Sequence, residues 1–150
     1  MTINKVTKKD FLEWLKMGTE FWTKRSKQEI KNEFERITSS KKEVSFICHD
    51  ESSAVGFIAL SLRSDYVEGS DFKQKTKQVG YLEAIYVRSK YRNKGIAKDL
   101  MKVAEKWFKE KQVKEIGSDV EVHNLVSQKF HKKIGFKKGE TLIHYIKKLK

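Results

Sequence analysis

Tyr91-Arg92-Asn93-Lys94-Gly95-Ile96-Ala97 is the stretch that decides how this chain folds. Before it lies Val79–Val87, apolar and rich in β-formers, which reads as a central strand. After it, residues 98–111 form an amphipathic helix. Leu100, Val103, Ala104, Trp107 and Phe108 share one face, and lysines take the other. A strand that turns directly into a helix brings unpaired N–H groups and the positive end of the helix dipole to one point. Gly95 and Ala97 are small, so phosphate oxygens can approach the main chain there, and Arg92 and Lys94 add positive charge. The turn therefore fits a pyrophosphate. It is neither G-x-x-x-x-G-K-[ST] nor G-x-G-x-x-G. The same residues also fit a plain strand-to-helix turn with solvated basic side chains.

Working outward, Thr7 or Asp10 is placed to cap a first helix with Phe11, Leu12, Trp14 and Leu15 on its apolar stripe. A second helix over 27–37 carries Ile30, Phe34 and Ile37 at helical spacing. The period then changes. Residues 44–48 and 54–63 read as strands joined by hairpin-type residues at 50–53. Residues 65–78 are polar and read as a loop. A short strand over 115–120, a helix over 124–134 stopped by Gly135, and a closing strand over 141–149 complete the chain. Strand and helix alternate after residue 79, which implies a parallel βαβ crossover inside a mixed sheet.

The chain has 150 residues, enough for a single domain over 1–150 with a sizeable core. Its one cysteine, Cys48, excludes an internal disulfide and any multi-Cys metal site, and no metal is expected. No apolar run approaches the roughly 20 residues of a membrane span, and residues 1–10 lack an apolar signal region. A cytoplasmic protein is the expectation. The formal net charge is +13, and it is uneven. Residues 1–75 hold 14 basic and 12 acidic side chains, residues 76–150 hold 19 and 8. A basic half points to an anionic partner: nucleic acid, a phosphorylated cofactor or an acidic protein. No RNP-type aromatic sequence is present, so nucleic acid is not expected as the partner.

Arg92-x-x-Gly95-x-Ala97 resembles the acetyl-CoA signature of the GNAT superfamily of N-acetyltransferases. Tyr81-Leu82-Glu83-Ala84-Ile85-Tyr86-Val87 is similar to the strand that these enzymes open with a bulge. Asn124…Phe130-His131-Lys132-Lys133-Ile134-Gly135-Phe136 is similar to their closing motif. Ser64-Asp65-Tyr66-Val67-Glu68-Gly69, Tyr81-Leu82-Glu83, Ser118-Asp119 and Ser127-Gln128…His131 resemble one subfamily, the aminoglycoside 6'-N-acetyltransferases. The resemblance implies an α/β (mixed α+β) fold. A twisted mixed sheet is flanked by helices, and a central bulged strand is followed by the pyrophosphate-binding helix. It also implies a homodimer, acetyl-CoA as co-substrate, and an aminoglycoside amine as acceptor. A polyamine, a small amine metabolite or a protein amine is the alternative acceptor.

By the same resemblance, the main chain of Ile85, Tyr86 and Val87 pairs with the pantetheine arm. Arg92, Asn93, Lys94, Gly95, Ile96, Ala97 and Lys98 surround the pyrophosphate, and Asn124 and His131 border the cofactor's reactive end. Trp22, Arg25, Tyr66, Glu83, Asp119 and Glu140 form the acceptor site, with Glu83 and Asp119 as the candidate bases. Two positions depart from the pattern: His131 stands where many members carry Tyr, and Arg25 where the subfamily favours His. Several residues keep a second reading. Asn124 is equally suited to capping a helix. His131 is either a proton donor or a structural helix residue. Strict alternation puts Glu83 in phase with Tyr81, Ile85 and Val87, among apolar neighbours. A carboxylate there needs a cationic ligand or an internal pair, for which a lysine is the expected partner.

Overall fold

The computed structural model describes residues 1–64 and 78–150. Five strands form one sheet: β1 (Thr2–Lys5), β2 (Glu43–Asp50), β3 (Ser53–Arg63), β4 (Val79–Val87) and β5 (Ile116–Ser118). They lie side by side in chain order, antiparallel except for the parallel β4–β5 pair. The helices are α1 (Phe11–Phe21), α2 (Lys27–Ser39), α3 (Ile96–Glu110) and α4 (Leu125–Lys133). The β4–α3–β5 crossover is the βαβ unit that the alternation implied.

Each face of the sheet has its own core. Helix α3 presses Leu100, Met101, Ala104 and Phe108 against Val55, Ile58, Leu60 and Leu82. Burying each such large side chain stabilises by about 1.5–3 kcal/mol. Phe108 lies directly on Gly80, where an added Cβ would sit 2.6 Å from its ring. Only glycine lets the helix come so close to β4. On the other face, Trp14, Met17, Ile30 and Phe34 from α1 and α2 pack on Ile47, Phe57, Ala59 and Ala84. The Trp14 and Phe34 rings stack at 3.7 Å. Helix α2 starts at Ser26, whose hydroxyl accepts from the Glu29 N–H while Glu29 accepts from the Ser26 N–H.

One irregularity in β4 sets up everything that follows. Ala59 pairs with Ala84 and Leu60 with Leu82, so Glu83 is the extra residue of a bulge. Before it, Leu82 faces α3; after it, Ala84 and Tyr86 face α1 and α2, while Ile85 and Val87 face α3. Strict alternation is thereby broken. Glu83 shares no face with Ile85 and Val87, and its side chain is 31% exposed rather than set among apolar groups.

Two expected strands differ from those found. The strand over 115–120 is only Ile116–Ser118, pairing with β4 from Gly80 to Leu82. The closing strand over 141–149 does not form. Residues 136–150 have no regular structure, and Ile143, Tyr145, Ile146 and Leu149 are exposed. A strand needs a neighbour to satisfy its backbone, and this tail has no strand partner among the described residues. No described helix is long and apolar enough to cross a membrane.

Candidate active site

β4 is closed on one edge by β3 along its length, but β5 covers its other edge only as far as Leu82. From the bulge onward, Ile85, Tyr86 and Val87 have no strand on that side among the described residues. An open edge of extended main chain can accept another extended chain bearing amides. The open edge runs directly into the turn that leads from Val87 to α3.

That turn is built by backbone conformation. Arg88 N–H donates to the Val55 carbonyl at 2.9 Å, and a short 3-10 turn over Ser89–Tyr91 follows. Asn93 (φ 60) and Gly95 (φ 83) are both left-handed. Gly95 is the N-cap residue of α3 and offers no capping side chain, so the first helical N–H groups depend on an outside acceptor. Nothing lies within 4 Å of a Cβ built on Gly95; the φ angle, not crowding, requires glycine there. The Ile96 side chain is buried, which leaves its N–H as the group it presents. Arg92 Nε donates to the Val87 carbonyl at 2.9 Å, tying the turn to the end of β4. Lys94 lies over the Tyr91 ring at 5.2 Å, and Lys98 is exposed. The arrangement fits a pyrophosphate, whose oxygens would meet aligned N–H groups and basic side chains.

Asn124 Oδ1 accepts from the Ser127 N–H at 3.1 Å, so its capping role is realised at the start of α4. His131 is buried between β5 and α4. Its Nδ1 donates to the Ser127 carbonyl at 2.7 Å, and its Nε2 is 2.8 Å from the Ser118 hydroxyl. Both ring nitrogens are thus engaged, and the ring locks β5 to α4.

Tyr81 and Glu83 lie on the face of the sheet that α1 and α2 cover. Tyr81 is buried, and its hydroxyl has no hydrogen-bond partner of good geometry among the described residues. Burial pushes its pKa up, and the neighbouring carboxylate of Asp119 and the charge of Glu83 push the same way against Arg63. Glu83, from the bulge, and Asp119, just past β5, are the residues that follow Leu82 and Ser118, the last paired positions of β4 and β5. Glu83 is also paired internally. Its Oε1 accepts from Ser61 Oγ at 2.5 Å and from Arg63 Nη2 at 2.9 Å. The partner is an arginine, not the lysine expected.

Trp22 ends α1 half-buried against Phe21, Phe34 and Phe57. The Arg25 guanidinium lies 4.9 Å from its ring centre and 2.7 Å from Glu33, which offsets the charge that departs from the subfamily pattern. Glu140 sits exposed in the tail, with no hydrogen bond or ion pair among the described residues. Tyr66, with Asp65 and Glu68, lies outside the described residues. The sequence pattern did not point to Ser61 and Arg63, whose only signal was their two-residue spacing on a strand. Nor did it point to Glu20. That carboxylate accepts from Tyr86 Oη at 2.9 Å and pairs with Arg88 at 3.3 Å, so burial and then Glu20 raise the Tyr86 pKa.

Residues 9–136 match the Acetyltransferase (GNAT) family. The aminoglycoside N(6')-acetyltransferase type 1 of Salmonella enteritidis is 31% identical over 99% of both chains. The enzyme of the same name from Acinetobacter haemolyticus is 27% identical, again over 99% of each. Among solved structures, the aminoglycoside antibiotic 6'-N-acetyltransferase AAC(6')-IG from Acinetobacter haemolyticus superposes with a TM-score of 0.90, at 27% identity and full coverage of both chains. AAC(6')-Iy, solved with the bisubstrate analog CoA-S-monomethyl-acetylneamine, gives 0.89 at 30% identity, covering 99% of this chain and 98% of that one. An open bulged strand, a left-handed glycine before a helix and these likenesses agree, and the chain belongs to the GNAT acetyltransferase family, alongside the type 1 aminoglycoside N(6')-acetyltransferases.

Proposed function

We propose that this enzyme transfers the acetyl group of acetyl-CoA to the 6'-amino group of aminoglycoside antibiotics, as a resistance enzyme of the cytoplasm, where acetyl-CoA is at hand. What supports the reading is the register of β4 and β5, which places Glu83 and Asp119 just beyond their last paired residues, Leu82 and Ser118, where the edge of β4 opens among the described residues. A polycation needs local negative potential, and these two carboxylates supply it in an otherwise basic chain.

Acetyl-CoA brings an activated acyl group. In this reading the open main chain of Ile85, Tyr86 and Val87 holds its pantetheine arm in register. A backbone N–H there donates to the thioester oxygen, where negative charge develops. Asn93, Lys94, Gly95, Ile96, Ala97 and Lys98 surround the pyrophosphate, with Arg92 bracing the turn. Asn124 and His131 border the reactive end from α4. Trp22 and Tyr66 offer flat faces to sugar rings. Arg25 supports Trp22, and Glu140 takes a further ammonium group. Glu83 or Asp119 removes a proton from the acceptor's ammonium, directly or through water, and so frees the lone pair that attacks the thioester carbon. The carbon–sulfur bond then breaks, the new amide nitrogen sheds its extra proton, and the departing thiolate takes up one proton in its place, giving the amide and free CoA.

We also infer a homodimer. The exposed Ile143, Tyr145, Ile146 and Leu149 form an apolar tail that a second copy would cover, and closure of this tail would help place Glu140. Sedimentation of the full chain should give a dimer, and Ile146→Asp should shift it toward monomer. A wild-type monomer at micromolar concentration would contradict this.

Turnover is tested by following CoA release with a thiol reagent across an acceptor panel. Kanamycin-type drugs should be acetylated, and a 6'-hydroxyl analogue should not. Turnover of spermidine or of peptides without any drug turnover would move the enzyme to another acceptor class.

A further inference from the structure

The two oxygens of Glu83 are treated differently. Oε1 accepts from both the Ser61 hydroxyl and the Arg63 guanidinium, at 2.5 and 2.9 Å. No donor among the described residues reaches Oε2. Arg63 is itself held in place, because its guanidinium carbon lies over the Tyr81 ring, 3.5 Å from the centroid. Tyr81 is 3% exposed, and its ring cannot move aside easily. Register explains why these groups meet. Ser61 is opposite Tyr81 and Arg63 opposite Val79, so Ser61 and Arg63 share a face with Tyr81, and the bulge brings Glu83 to that face. An arginine on a carboxylate usually binds both oxygens in a fork. Here Nη2 reaches only one, and the serine reaches the same one.

We propose that Arg63 is a positioning residue for the acceptor. Stacked on Tyr81 and aided by Ser61, it anchors Oε1 of Glu83 so that Oε2 is presented to an ammonium group of the acceptor. This rests on the reading of Glu83 as an acceptor contact. It assigns Arg63 a role opposite to that of a competing cation. A competitor would have to be displaced before substrate bound, and its removal would tighten binding. An anchor sets the geometry of the free oxygen, and its removal loosens binding.

The test is a double-mutant cycle on the full-length enzyme, with kanamycin as acceptor and steady-state kinetics as readout. Arg63→Met keeps an unbranched chain against Tyr81 and removes the donors. It should raise KM for kanamycin by roughly tenfold and leave KM for acetyl-CoA unchanged, as expected for loss of a charge-assisted hydrogen bond. Arg63→Lys restores charge and one donor and should recover part of the loss. In a Glu83→Gln background, Arg63→Met should add little, because it acts through that carboxylate. If Glu83→Gln impairs the enzyme but Arg63→Met leaves KM unchanged or lowers it, the positioning role is wrong. Full multiplication of the two effects in the double variant would overturn it as well. If Glu83→Gln itself has no effect, the acceptor reading of Glu83 fails instead. Circular dichroism and thermal melting of each variant separate these outcomes from misfolding.

Discussion

The two halves of the cleft are made of different material. The half proposed to hold the cofactor is main chain: a strand edge at residues 85–87 that has no partner strand among the described residues, two left-handed residues and the first turn of α3. The half proposed to receive the acceptor is side chains: Trp22 from the end of α1, Glu83 from a bulge and Asp119 from beyond β5, with Ser61 and Arg63 bonded to Glu83. Main chain fixed by strand pairing and one glycine tolerates wide change in side chains. A set of side chains drawn from several elements does not. The first half therefore carries what a whole family shares, the grip on the acetyl donor, and the second sets which amine is received.

Substitutions in each half should separate them. The largest effect is expected from Gly95→Val. A β-branched residue at φ 83 costs about 1–2 kcal/mol or more and distorts the turn. KM for acetyl-CoA should rise by at least roughly tenfold while acceptor KM barely changes. Asp119→Asn should do the reverse, raising acceptor KM with acetyl-CoA KM within about twofold. Equal damage to both constants in either variant would mean that the halves are not separate.

The smallest effect concerns Tyr81. Its hydroxyl has no good hydrogen bond, so Tyr81→Phe should change stability at neutral pH by less than about 1 kcal/mol. At high pH the two proteins should part. The phenol's pKa is raised in the folded protein, so the unfolded chain loses this proton first. The stabilising contribution is complete below about pH 10 and is lost as pH rises above it. Urea midpoints should fall more steeply above that point for wild type than for Tyr81→Phe. Parallel curves would contradict the burial of a neutral phenol beside two carboxylates.

Much of the cofactor half was legible in the sequence because it depends on local pattern. Residues 79–87 are apolar and rich in β-formers, and Gly95 precedes a strongly amphipathic stretch. Helix α3 starts at Ile96, two residues earlier than the amphipathic pattern alone indicates, because Gly95 already supplies the cap. The acceptor half was legible only by resemblance. Nothing local to Glu83 reveals a bulge, since the extra residue is defined by its partner strand. Nothing near Arg63 says that its guanidinium lies on the ring of Tyr81 in the next strand. Strand β1 is not legible locally, because Thr2-Ile3-Asn4-Lys5 is short and polar and only pairing with β2 makes it a strand. The tail errs the other way. Its Ile and Tyr residues suit a strand, but composition alone provides no neighbour to pair with.

The central claim is that Glu83 and Asp119 together receive a cationic drug beside the bound thioester. Calorimetric titration of kanamycin into the CoA-bound protein tests it most directly, with Glu83→Gln and Asp119→Asn titrated alongside. Saturable binding to wild type, weakened by roughly tenfold or more in each variant, is the predicted result. Kanamycin binding that is absent, or indifferent to both carboxylates, would contradict it.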